Sequence, residues 1–347
     1  MAGGIGSRLW PLSTPEMPKQ FIDVLGTGKS LIRLTMERFL PVCKPEHFWV
    51  VTSERYVATV KEHLPEVPDE QILAEPEPRN TAPCIAYASW KIRAKYPDAN
   101  IVVTPSDALV LDHEVFTDAI SKALAATENS DAIVTVGITP TRPETGYGYI
   151  HTAEPTPGKV VKVLEFKEKP DRATAEKYLA DGAYLWNAGI FVWNVRTITS
   201  ELRAHAPQIA GVMDALAPSF YTDQEAAEVR THFAECEKIS IDYAVMEKSP
   251  HIHTVACNPR WSDLGSWGAL KEHIPADENG NAVVAAGPGG SDVRLFDCSG
   301  CIVHTDGTRT VVLQGLRNSI VSLRNGDLLI CKLSEEQHIK EYSAPRN

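Results

Sequence analysis

Short runs of β-branched and aromatic residues alternate with longer amphipathic stretches along most of the chain. Phe48–Thr52, Ile101–Thr104 and Ala132–Val136 are continuous apolar runs of the kind that form strands covered on both faces. Between them, Thr81–Lys95 and Glu114–Thr127 carry helical periodicity. In the second, Phe116, Ile120 and Leu124 recur every four residues, with Ala119 and Ala123 on the same side. This alternation predicts an α/β fold with a doubly wound, mostly parallel mixed sheet and helices on both faces. Ligands of such sheets bind beyond the carboxyl ends of the strands, so motifs directly after strands carry the most information.

From about Gly280 the pattern changes. Ala282–Val284, Val293–Phe296, Cys301–His304, Thr310–Leu313, Ser319–Ser322 and Leu328–Lys332 are short strand candidates punctuated by Gly, Asn and Asp, and the next helical pattern is Glu335–Glu341. The expected division is a large domain over residues 1–276 and a small β-rich domain over 282–347, joined at Asp277–Asn281.

The 347 residues are 43% hydrophobic and 23% charged, enough to bury a full core. No apolar run approaches the roughly 18–20 residues of a membrane span, and the first residues lack the pattern of a secretory signal. Seven scattered cysteines form no regular framework, which leads to the expectation of reduced thiols in the cytoplasm. Cys298 and Cys301 have no second such pair, so zinc is disfavoured and core or turn thiols are expected. The formal charge of −11 and the lack of a basic run argue against nucleic acid as a partner. An acidic chain that binds anions needs a local pocket of backbone donors, a few basic residues or a metal.

Such a pocket is suggested by Gly3-Gly4-Ile5-Gly6-Ser7-Arg8-Leu9-Trp10-Pro11, followed by Pro18-Lys19-Gln20-Phe21. Closely spaced glycines let backbone N–H groups approach a polyphosphate. Arg8 adds a planar fork for phosphate oxygens and Lys19 a point charge. The spacing matches neither a P-loop nor a dinucleotide fingerprint. Asp107 follows the apolar run Ile101–Val103, where a carboxylate suits Mg²⁺. Thr81 is a natural N-cap for the helix containing Pro83.

These blocks resemble the sugar-nucleotide pyrophosphorylases. The stretch GGIGSRLWPLSTPEMPKQF is similar to that family's signature, and its LWPLS and PKQF portions point to the mannose-1-phosphate guanylyltransferases. The likeness continues, in family order, through AEPEPRNTAPCIAYAS (Ala74–Ser89), TPSDALV (Thr104–Val110), PETGYGYI (Pro143–Ile150), FKEKPD (Phe166–Asp171), WNAGIFVW (Trp186–Trp193), SIDYAVMEK (Ser240–Lys248) and WSDLGSW (Trp261–Trp267). The resemblance implies a Rossmann-like, GT-A-like nucleotidyltransferase domain with a short C-terminal domain resembling a left-handed β-helix. It also implies that GMP passes from GTP to mannose 1-phosphate, giving GDP-mannose and pyrophosphate.

The implied nucleotide contacts are Gly3, Gly4, Gly6, Ser7, Glu75, Asn80 and Thr81. Arg8, Lys19 and Lys169 would supply catalytic positive charge. Gly146, Tyr147, Gly148, Glu168 and Asn187 would meet the sugar phosphate, and Asp107 and Asp263 would hold Mg²⁺. Asp242 has the weakest claim, because helix capping accounts for it equally well. The expected chemistry is in-line displacement without a covalent intermediate. No membrane is expected as a partner, and a homodimer packed through the β-rich domain is compatible with the reading.

Three departures stand out. The resemblance implies a central strand before the glycine turn, of which this sequence contains Met1-Ala2. Ser7 stands where Thr is common, and Ala108 where His is common. Nothing resembles the isomerase domain of longer relatives, so the transferase reaction alone is expected. The rival readings are the same chemistry with another base or hexose, and a non-catalytic subunit that binds sugar nucleotides.

Overall fold

Along Tyr184–Asn194 successive side chains alternate between two cores: Ile190 and Val192 enter one, Phe191 and Trp193 the other. A strand buried in this way must have cover on both faces. The computed structural model, which describes residues 1–4, 6–285, 291–307 and 310–344, supplies that cover. Two compact units are formed.

The first unit comprises Met1–Gly3, Arg38–Pro105 and Val110–Trp261. Its strands are β1 (Val50–Ser53), β2 (Ile72–Glu75), β3 (Asn100–Val103), β4 (Ile133–Ile138), β5 (Tyr149–Thr152), β6 (Val160–Lys167), β7 (Tyr184–Asn194) and β8 (Ile252–Cys257). Six of them form a mixed sheet in the order β3-β7-β4-β8-β6-β5, and β5 also pairs with the first half of β7. Strands β3, β4, β5 and β8 run one way, β6 and β7 the other. Strands β1 and β2 pair in parallel as a separate ribbon.

Helix α1 (Thr81–Lys95) packs with α2 (Val195–His205) and α3 (Pro207–Leu216), placing Trp90, Leu202 and Met213 in one core. On the opposite face Phe116 and Ile120 of α4 (His113–Thr127) cover Val134, Val136 and Val255. The α1 cap differs from the sequence expectation. Asn80, not Thr81, is the N-cap, and its Oδ1 accepts from the Thr81 amide at 2.8 Å. The Thr81 hydroxyl is used instead to accept from the Ile241 amide at 2.9 Å.

The second unit comprises Gly4–Glu37, Ser106–Leu109 and Ser262–Asn347. Strands β9 (Ala282–Ala285), β11 (Ile302–Thr305) and β13 (Ser319–Arg324) stack in parallel, and β14 (Asp327–Lys332) closes the sheet antiparallel to β13. Strands β10 (Val293–Phe296) and β12 (Val311–Gln314) form a second parallel pair. The chain therefore coils, each rung lying on the one before. Asn281 holds a corner of the coil, donating to the Cys298 carbonyl at 3.0 Å and accepting from the Cys301 amide at 3.1 Å. Cys298 and Cys301 are buried free thiols.

Packing does not follow the expected division at residues 276 and 282. Leu9, Leu12, Ile22, Val24 and Leu31 bury against Trp267, Leu270, Ile302 and Ile320, so the glycine-rich start belongs to the same core as the C-terminal coil. Hydrophobic burial groups residues by spatial partners, and linear composition does not reveal those partners. No helix among the described residues is long and apolar enough to cross a membrane.

Gly137 tests how tightly the main sheet is packed. A methyl group there would lie 2.6 Å from Leu185 Cδ1 and 2.8 Å from Thr254 Oγ1. Gly137→Ala is therefore expected to cost roughly 1–3 kcal/mol by overpacking, read as a lowered Tm in thermal unfolding. An unchanged Tm would mean that β7 and β8 yield freely.

Candidate functional site

In the second unit Gly6 adopts φ 73° and precedes a tight turn, Ser7–Leu9. An added Cβ at Gly6 would come within 2.9 Å of Lys19 Cβ, so the turn and Lys19 are in direct contact. Lys19 is buried and its ammonium is shared. It lies 3.0 Å from Asp107 Oδ2 and donates to the Asp263 carbonyl at 2.6 Å and, more weakly, to the Leu264 carbonyl at 3.4 Å. Asp263 is fixed in turn, its Oδ1 accepting from the Gly265 amide at 3.0 Å while Leu264 takes a positive φ of 46°.

Three segments far apart in sequence thus meet at one ammonium. Lys19 holds Asp107 in place and has its donors engaged, a positioning arrangement that spacing alone did not reveal. Arg8 is exposed and makes no hydrogen bond or ion pair among the described residues, so its guanidinium is available to an anion. Gly4 and Gly6 are exposed in the second unit; Gly3, also exposed, ends the first N-terminal segment of the other unit.

Asp107 and Asp263 offer hard oxygen donors, and the Asp107 side chain is one-third exposed. No group of three or more His, Cys, Asp or Glu able to hold a metal occurs among the described residues. This donor set suits Mg²⁺, which takes one or two carboxylates and completes its shell with water and phosphate oxygens.

In the first unit the sugar-binding candidates converge on Gly148. A Cβ there would meet Glu168 Oε2 at 2.6 Å and Asn187 Cβ at 3.3 Å. The Asn187 amide donates to the Gly148 carbonyl at 2.8 Å. The Asn187 side chain accepts from Thr135 Oγ1 at 2.9 Å and from the Gly189 amide at 3.1 Å, and its Nδ2 donates to Asp242 Oδ1 at 3.2 Å. Buried Glu168 pairs with the more exposed Lys169, and its amide donates to Glu247 Oε1 at 3.2 Å. Tyr147 packs edge-on against Trp186 and Trp261, which makes it a wall of the site. Gly146 is exposed, its amide donating to Glu144 Oε1 at 3.0 Å.

The electrostatics follow from this crowding. Burial, then the neighbouring Glu168 carboxylate, pushes Asp242 up to about 6. Burial pulls the Lys169 ammonium down, but Glu168 and then Asp242 more than offset this, and the net shift is upward. Lys169 also holds a positive φ of 47°, a costly backbone state for a side-chain-bearing residue. Asp242, Glu247 and Thr135 were missed or undervalued by sequence reasoning. The signal for the first two lay in SIDYAVMEK, which forms a π-helix over Asp242–Met246.

The nucleotide candidates Glu75, Asn80 and Thr81 lie at the end of β2 and the start of α1. Glu75 is buried, and its Oε1 has no hydrogen-bond partner among the described residues. Burial pushes its carboxyl up to about 7, the Met1 ammonium opposing the shift.

The chain is similar to several known proteins. A sequence profile described as nucleotidyl transferase matches residues 1–280. A Salmonella montevideo protein named mannose-1-phosphate guanylyltransferase is 36% identical over 98% of this chain and 72% of its own length. The xanthan biosynthesis protein XanB of Xanthomonas campestris is 36% identical over 98% of this chain and 71% of its own. A crystal structure titled mannose-1-phosphate geranyltransferase, from Thermus thermophilus, superposes with a TM-score of 0.87 at 31% identity, covering 99% of this chain and 96% of that one.

The Asp242 shift has a definite sign. A carboxyl that holds its proton more tightly when folded contributes stability at low pH, and that contribution is lost as pH rises from about 4 through about 6. Unfolding measured from pH 4 to 8 should show this decline in the wild type and a flatter profile in Asp242→Asn. Parallel profiles would remove Asp242 as its source.

Proposed function

Because this chain belongs to the nucleotidyl transferase family, we propose that it transfers GMP from GTP to mannose 1-phosphate, releasing pyrophosphate and GDP-mannose. The observation that carries the reading is the ammonium of Lys19, which ties Asp107 to the Asp263–Leu264 backbone directly beside Gly6. A polyphosphate-binding turn and two magnesium-type carboxylates are what nucleotidyl transfer requires. The choice of guanine and mannose rests on the relatives at 34–36% identity that bear the guanylyltransferase name.

A sugar 1-phosphate already carries an anionic oxygen nucleophile, so no Ser–His or Cys–His pair is needed to generate one. The protein's task is alignment and charge compensation. We assign the β- and γ-phosphates to Gly4, Gly6, Ser7 and Arg8, with Lys19 keeping Asp107 oriented. Asp107 and Asp263 would hold Mg²⁺, which when bound neutralises the phosphate oxygens of two mutually repelling substrates. Glu75, Asn80 and Thr81 are assigned to the nucleoside. Glu168 and Asn187 are assigned to sugar hydroxyls, and Lys169 to the sugar phosphate. The seven free thiols suit a reducing compartment, and the cytoplasm is the assigned location.

Pyrophosphate release, assayed with magnesium across four nucleoside triphosphates and several hexose 1-phosphates, is expected to be fastest with GTP and mannose 1-phosphate. A faster alternative pair would reassign the substrate, and no release with any pair would favour a non-catalytic binding role. Arg8→Ala should lose on the order of 10²–10³ in rate, the scale of one preorganised electrostatic donor. Asp107→Asn should move the magnesium titration to higher concentration; an unmoved curve would exclude Asp107 as a ligand.

A further inference from the structure

Asp242 and Glu247 belong to one short stretch of the first unit, and the start of that stretch is fastened to α1. The Ala82 amide donates to the Ile239 carbonyl at 3.1 Å, which satisfies one of the first-turn amides that a helix leaves without an internal partner. The Ile241 amide donates to Thr81 Oγ1 at 2.9 Å. Ile241, Ala244, Val245 and Met246 are buried in the same core as Ala82 and Ile85 of α1, so the stretch is seated on that helix by packing as well.

The other end of the stretch holds the sugar candidates. Asp242–Met246 forms the π-helix, and the Glu247 amide donates back to the Asp242 carbonyl at 2.9 Å. Turns of this kind are rare and concentrate at functional sites. Asp242 Oδ1 accepts from Asn187 Nδ2 at 3.2 Å, and Glu247 Oε1 accepts from the Glu168 amide at 3.2 Å. The Asn187 amide group is almost fully used. Its Oδ1 accepts from Thr135 and from Gly189, and one Nδ2 proton goes to Asp242. The second Nδ2 proton is left for a sugar hydroxyl, and Asp242 sets where it points.

We propose that residues 239–247 are a positioning bracket, through which Thr81 and Glu247 aim Asn187 and Glu168 at the hexose without touching it themselves. This rests on the assignment of Asn187 and Glu168 to sugar hydroxyls. A hydroxyl has two acceptor sites and one donor. Holding the Ile241 amide therefore leaves the Thr81 proton for the nucleoside, and one side chain serves both ends of the unit.

The test measures pyrophosphate release and varies each substrate with the other saturating. Glu247→Ala should raise KM for mannose 1-phosphate about tenfold, lower kcat less than about threefold, and leave KM for GTP within about twofold. Thr81→Val, whatever it does to GTP, should raise KM for mannose 1-phosphate by a similar factor. Glu247→Gln keeps the acceptor and Thr81→Ser the hydroxyl, so each should recover most of the loss. A rise for GTP alone in Thr81→Val, or no recovery in the conservative variants, would overturn the bracket. Amide-resolved hydrogen exchange supplies a readout independent of turnover. In Thr81→Val the Glu168 and Asn187 amides should exchange at least about fivefold faster while those of α4 are unchanged. Unchanged exchange at Glu168 and Asn187 would overturn the bracket. Should the wild type release no pyrophosphate from this substrate pair, the substrate assignment falls and the exchange result alone decides the bracket.

Discussion

A single dehydrated ammonium organises the second unit. Lys19 is only 4% exposed, in a chain of formal charge −11. Taking such a group out of water is costly unless its donors are matched. Here a carboxylate and two backbone carbonyls match them, contributed by segments more than eighty and more than two hundred residues away. Gly6 lies against the same side chain, in space that a Cβ would invade. The turn, Asp107 and the Asp263 loop therefore behave as one packed assembly. Loss of the carboxylate would leave the buried ammonium short of its one ionic partner among the described residues, whereas Asp107, one-third exposed, keeps access to water if the ammonium is lost. The same requirement that makes the assembly costly to break also keeps its carboxylates in a fixed orientation.

The first unit solves the opposite problem with the opposite charge balance. Around Gly148 it gathers Glu168, Asp242 and Glu247 with Lys169. An acid-rich cluster repels phosphate but accepts readily from hydroxyl groups. A sugar phosphate carries both chemistries, a polyol face and an anionic end. Acceptors held by backbone and Asn187 hydrogen bonds suit the first, and a more exposed ammonium raised by Glu168 suits the second. Buried Glu168 and exposed Lys169 divide this labour by burial: the cation left in water is the group able to meet an incoming anion.

Much of this architecture was legible in the residues, for identifiable reasons. Thr81–Lys95 declares itself by its helical periodicity and by Pro83 in its first turn, and its limits match the structure, although its cap is Asn80 and not Thr81. The six short strands of the C-terminal coil were marked by the Gly, Asn and Asp residues that punctuate them. A mixed sheet is present, but the mostly parallel pairing expected of it is not: β4–β8 is parallel and the other five pairings are antiparallel. The long β7 went unread because both its faces are buried and its apolar run lacks a period. The interleaving of Gly4–Glu37 with the C-terminal half was invisible for a different reason. Leu9 and Leu12 announce that they are buried, and nothing in their spacing says against what. The site candidates likewise came from motifs, whereas the engagement of Lys19 and the Asn187–Asp242 bond depend on contacts that only the fold creates.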